Sequence, residues 1–129
     1  MDNRKNAREI AFKLVFEYLF SGDKNTASMQ ELFEESKLVK EQDYVSKVYY
    51  GIIDKFEELN NFIANNAIGF ADNRIYKIDK AILLVALYEM DYMEDIPKKV
   101  SINEALELAK KYSTEKSPSF INGILSKKV

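Results

Sequence analysis

Ala81 to Leu87 are seven apolar residues without a break, set in the longer stretch Asp79-Lys80-Ala81-Ile82-Leu83-Leu84-Val85-Ala86-Leu87-Tyr88-Glu89-Met90. Ala and Leu dominate it, which favours a helix over a strand. Ile75, Ile78 and Met93 continue the pattern at helical spacing and predict one helix from about Ile75 to Met93. A helix that is apolar all round its middle has no face to give to water and must be enclosed on every side. It cannot cross a bilayer, because that needs about 20 consecutive apolar residues. Here Asp79, Lys80 and Glu89 interrupt the run too soon. The rest of the chain is expected to wrap around this helix.

The remaining pattern is also helical. The 129 residues, 47% of them hydrophobic, fit one domain spanning 1–129. Four Gly and two Pro favour long helices over many strands and turns. A first helix is predicted from about Asn3, as N-cap, to Leu19, with Ala7, Ile10, Ala11, Leu14, Val15 and Tyr18 inward. A short one covers Ala27 to Glu35 behind a cap at Asn25 or Thr26, with Met29, Leu32 and Phe33 as its apolar edge. Helical period then runs from Glu41 to Asn65, long enough that a bend or break is expected near Glu57–Asn60. Asn66 to Asn73, with Gly69, connects into the central helix. Pro97 restricts Ile96 to an extended conformation and closes the following turn. Ser101-Ile102-Asn103-Glu104 has the form of a capping box opening a helix to about Tyr112. Ser117-Pro118 opens the last helix, which carries Phe120, Ile121, Ile124 and Leu125. Asn103 and Asn122 read as interior hydrogen-bonding residues. No segment alternates with period two.

Zero His and zero Cys exclude a Cys/His zinc site, a Ser-His-Asp triad and a thiolate nucleophile. The absence of Cys fits a reducing compartment, and the polar N-terminus carries no secretory signal, so a cytoplasmic protein is expected. The net charge of -2 divides unevenly: +2 over residues 1–8, -8 over 9–95 and +4 over 96–129. Taken alone, the count favours scattered solvated charge; basic ends brought together by the fold would instead face a polyanion. Arg4 and Arg8 are four residues apart and share a helix face. Cations in a first turn oppose the helix dipole, so they help the helix little. They do add charge to an end that already attracts phosphate.

Three separated blocks carry a family resemblance. Val100-Ser101-Ile102-Asn103-Glu104-Ala105-Leu106-Glu107-Leu108-Ala109-Lys110, followed by Ser117 and Phe120-Ile121-Asn122-Gly123-Ile124-Leu125, resembles the C-terminal signature of the NusB family of transcription antitermination factors. Arg74-Ile75, Asp79-Lys80-Ala81-Ile82-Leu83 and Tyr88-Glu89 resemble its central helix, with Phe70 where the family often has Trp. Ala7-Arg8-Glu9 with Ala11 is similar to its basic opening. The resemblance implies an all-α fold of about seven helices in two packed bundles, no enzyme activity, no cofactor and no metal. It further implies binding to the single-stranded boxA element of ribosomal RNA leader transcripts together with NusE, a small-subunit ribosomal protein, and through them an indirect link to the RNA polymerase elongation complex. Nothing in it implies a membrane, and because some members dimerise it leaves a homodimer open.

Carried over by position, the resemblance assigns Arg4, Lys5, Arg8, Lys116 and Phe120 to RNA, and Phe16 and Asp79 to NusE. Arginine and lysine suit phosphate, and a ring such as Phe120 can stack on a base. Phe120 read by itself fits the core of the last helix better, and the resemblance brings the two readings level. Asp79 could instead pair internally with Lys80 or Arg74. Two departures stand out: Asn6 interrupts a run the family fills with Arg, and Leu84 replaces its usual Arg. A helical protein–protein module with weak or lost RNA binding is therefore the alternative. A fragment of an RNA cytosine methyltransferase, which can begin with a similar domain, is disfavoured. The chain has no Cys and no Gly-rich cofactor loop, and it ends at Val129.

Overall fold

The computed structural model describes residues 3–23, 26–36, 41–67 and 74–129. Seven α-helices run through them in order: α1 (Asn3–Ser21), α2 (Thr26–Ser36), α3 (Gln42–Asp54), α4 (Phe56–Asn66), α5 (Lys77–Tyr92), α6 (Lys98–Tyr112) and α7 (Ser117–Leu125), closed by a 3₁₀ turn at Ser126–Lys128. No strand occurs among the described residues, and no helix among them is long and apolar enough to cross a membrane. Asn25, Gly69 and Phe70 lie outside the described residues, as does the side chain of Phe33.

The enclosed central helix is α5. Every residue from Ala81 to Met90 is buried, Leu84 included. It packs against α1, α3, α4, α6 and α7. On one side α1 carries α2 and α3; on the other α6 carries α7. α1 presents Ala7, Ile10, Ala11, Leu14 and Val15 to this core at the spacing of one helix face.

Three boundaries differ from the sequence reading. The long helical period breaks at Lys55, slightly before Glu57–Asn60. An unbroken helix from Gln42 to Asn66 would be about 37 Å long, against roughly 24 Å for α5. The break lets both halves pack on the shorter helix. The capping box is the second correction. α6 already begins at Lys98, because the Pro97 carbonyl accepts from the N–H groups of Val100 (2.9 Å) and Ser101 (3.3 Å). Ser101 is therefore a turn inside the helix, with its hydroxyl turned to α5. Third, α7 starts at the Ser-Pro step, but no side chain caps it: Ser117 Oγ is engaged by Asp79 and Thr114. Asn103 and Asn122 are exposed and take no part in the interior.

One polar cluster crosses this apolar interior. Glu89, fully buried on α5, accepts from Arg8 Nε (2.7 Å) and Nη2 (3.2 Å) of α1, from Ser101 Oγ (2.8 Å) of α6 and from the Tyr44 hydroxyl of α3. Burial opposes the charge on Arg8. The hydrogen bond and charge of Glu89 outweigh it and leave the guanidinium pKa above its ordinary value. Burial, reinforced by the Glu89 charge, also raises the Tyr44 phenol well above its usual range.

At Gly51 α3 lies tight against a side chain of α5. A β-carbon there would run into the ring and hydroxyl of Tyr88 on α5. Helix propensity favours Ala over Gly by about 1 kcal/mol, and overpacking costs roughly 1–3 kcal/mol. Gly51→Ala should therefore be net destabilising by urea unfolding, and the sign should reverse in a Tyr88→Ala background. Stabilisation of the parent by Gly51→Ala would mean that the ring yields freely.

Tyr44 links the cluster to pH. Unfolded, its phenol titrates near about 10; folded, it holds its proton to higher pH. The stability this contributes is fully present below about pH 10 and is lost as pH rises above it. Tyr44→Phe should lower stability by about 1–3 kcal/mol at neutral pH. The melting temperatures of the two proteins should converge as pH climbs past about 10. A constant gap across that range would assign the effect to packing alone.

Candidate nucleic-acid interface

The N-terminal cations occupy the first two turns of α1. Arg4 places Nε 2.9 Å from Glu41 Oε2, with its guanidinium 4.4 Å from the centroid of the Tyr44 ring. Lys5 reaches Glu104 Oε1 at 3.3 Å. Arg8 departs from the expectation. It is buried against Glu89, with Nη1 3.5 Å from Glu104, so its guanidinium faces inward and is not presented to a phosphate. The physical reason is its place on the inward face of α1, one residue after Ala7 and opposite the buried carboxylate of Glu89 on α5. The next residue, Glu9, accepts from Lys111 Nζ (3.0 Å) and from the Tyr112 hydroxyl.

Lys116 and Phe120 lie elsewhere. With Arg74, Tyr76 and Thr114 they line a cavity of about 510 Å³ between the start of α5 and the start of α7. Phe120 is half-buried: it packs against the core and still borders the cavity, so its two readings combine. Among the described residues no carboxylate lies within ion-pair distance of Arg74 or Lys116; Glu115 is the one exposed acid on the cavity wall. Arg74 and Tyr76 were not singled out as site residues by their sequence positions. Only the fold brings them beside Lys116, across more than forty residues.

Asp79 also departs from the expectation. It is buried beneath this cavity, where it accepts from Ser113 Oγ (2.6 Å) and Ser117 Oγ (3.0 Å). Neither Lys80 nor Arg74 is its hydrogen-bonded partner; the two serines of the α6–α7 connection are. Ser117 Oγ in turn lies 2.8 Å from Thr114 Oγ1. Phe16 is half-buried, with its ring edge-to-face on Phe20 at 5.0 Å. Phe20 is 65% exposed, and Lys77 Nζ sits 5.3 Å from its centroid. An aromatic surface thus adjoins the start of α5.

The two basic groups do not merge. Lys5 stands beside Glu104, whereas Lys116 lies beyond the C-terminal end of α6. Roughly 12 Å of helix axis or more separates them. Between them run mixed charges, with Glu9, Glu104 and Glu107 interleaved among Lys5, Arg8 and Lys111 along a smaller groove of about 210 Å³.

Comparison with known proteins matches the model of the NusB family over residues 5–129. The chain is 44% identical to the transcription antitermination protein NusB of Carboxydothermus hydrogenoformans, over 95% of its own length and 90% of that relative. The fold superposes on T. maritima NusB with a TM-score of 0.85 at 31% identity, covering 97% of this chain and 89% of that one. A crystal structure of the antitermination factors NusB and NusE in complex with dsRNA contains a chain of the same fold, with a TM-score of 0.87 at 23% identity, covering 99% and 96%.

Proposed function

Because the chain belongs to the NusB family, we propose that it is a transcription antitermination factor. It binds single-stranded boxA RNA of ribosomal leader transcripts together with NusE, in the cytoplasm, and acts by binding rather than by catalysis. The observation that carries this reading is the cavity in which the Phe120 ring is flanked by Lys116 and Arg74. Single-stranded RNA is held by such a combination: rings on which splayed bases stack, and cations that meet the backbone between them. The solved NusB–NusE–dsRNA complex supports RNA as the class of ligand and NusE as the partner by family analogy.

Within this reading Lys116 and Arg74 contact phosphate, and Phe120 stacks a base. Arg4 and Lys5 form a second, weaker contact, while Arg8 holds α1 in place for them. Phe16, with Phe20, supplies an aromatic surface for NusE. Asp79, beneath the Lys116 and Phe120 cavity, serves that cavity indirectly by fixing the α6–α7 connection from below. The protein-only module is favoured by one observation, that Arg4, Lys5 and Arg8 all face carboxylates.

Phosphate contact and stacking leave different signatures. Lys116→Ala should weaken boxA binding and flatten its log–log salt dependence by about 0.7. Phe120→Ala should cost about 1–3 kcal/mol of affinity with the salt slope unchanged. Melting curves run in parallel separate lost stacking from lost core packing. Absence of boxA binding by the parent protein, with NusE present, would favour the protein-only module.

A further inference from the structure

We propose that Glu41 and Glu104 are specificity-determining residues, masking Arg4 and Lys5 from any RNA that is not also held at Lys116 and Phe120. The inference rests on the RNA-binding reading above. Its starting point is the ion pairing of the N-terminal cations: Arg4 Nε is 2.9 Å from Glu41 and Lys5 Nζ is 3.3 Å from Glu104. The acids are the better-buried members. The side chains of Glu41 and Glu104 are 22% and 20% exposed, against 34% and 52% for Arg4 and Lys5. Glu104 is further held by the buried Arg8, at 3.5 Å. The carboxylates are thus the fixed partners, and the long cationic stems are the parts that can turn away to another anion.

Sequence-independent attraction to RNA arises when protein cations replace the counterions condensed on its phosphates. A cation already facing a fixed carboxylate contributes little to that exchange, because an approaching phosphate also meets the carboxylate. Arg4 and Lys5 are in this state. Arg74 and Lys116 are not, since no described carboxylate lies within ion-pair distance of either. The molecule therefore divides its cations in two. An open pair beside a stacking ring captures RNA, and a masked pair on α1 is recruited only when captured RNA holds a phosphate close enough to displace Glu41 or Glu104. A polyanion that is not held so as to place a phosphate against Arg4 or Lys5 gains little from the masked pair.

The test uses the full chain with Glu41→Gln, Glu104→Gln and both together. Titrations at several salt concentrations employ two probes, a uridine homopolymer and boxA RNA with NusE. Each substitution keeps the side-chain shape and removes the masking charge. Homopolymer affinity should rise roughly twofold to fivefold per substitution at low salt. The log–log salt slope should steepen by about 0.7 per freed cation, and the preference for boxA over homopolymer should shrink. If the parent binds boxA RNA while the folded variants match it in homopolymer affinity and slope, masking is wrong and the RNA reading stands. If neither parent nor variants bind either RNA, the RNA reading falls and the inference falls with it. Homopolymer binding by the variants alone would support masking directly. Because Glu104 also touches Arg8, melting curves accompany every titration. Glu41→Gln, which leaves Arg8 untouched, decides the matter alone should Glu104→Gln unfold.

Discussion

Glu89 is the point on which the arrangement of helices depends. A carboxylate taken wholly out of water is tolerated only if its charge is matched and its lone pairs are occupied. Here α1 supplies the charge through Arg8, while Tyr44 of α3 and Ser101 of α6 supply further donors. Four helices thus meet at one side chain, and none can slide without leaving a buried polar group unpaired. Apolar contacts along α5 favour burial but tolerate some slippage in register. The Glu89 cluster adds a directional condition that sets the register of α1. The surface follows from it: with Arg8 held inward, Arg4 falls one turn earlier beside Tyr44 and Glu41, and Lys5 falls beside Glu104.

The apolar face of α1 and the buried run of α5 were legible in the sequence because both are local and periodic. Glu89 was not. Within the chain it is merely a charge near the end of an apolar stretch, and its partners lie 81, 45 and 12 residues away. The same cluster explains why the capping box failed. Ser101 and Glu104 have the required spacing, yet the Pro97 carbonyl had already started the helix. Tertiary partners then claimed both side chains. Spacing reports what a residue can do locally and is silent on a better partner across the fold.

The candidate site divides in the same way. Lys116 and Phe120 stood out from the loop and helix start that carry them, and both border the cavity. Their neighbour Arg74 could be found only in three dimensions. Arg8 misled because the family's basic opening groups it with Arg4 and Lys5, although helical geometry turns it towards the core residues Ala7 and Ala11. Asp79 misled for a related reason: a carboxylate in a first helical turn reads as surface charge, and its two serine donors come from a connection some thirty-five residues later.

Those serines bear on how a ligand enters the cavity. The hydroxyls of Ser113, Thr114 and Ser117 form one hydrogen-bonded set anchored on buried Asp79. The short connection that carries Lys116 is therefore ordered before anything binds, and so is the start of the helix that carries Phe120. Immobilising a rotamer-rich side chain or a loop on binding is a charge against affinity, about 0.5–1.5 kcal/mol for each such side chain. Preorganisation by Asp79 reduces that penalty for the connection's backbone and leaves only the long stem of Lys116 to settle. A carboxylate that touches no ligand can in this way influence how tightly one is held.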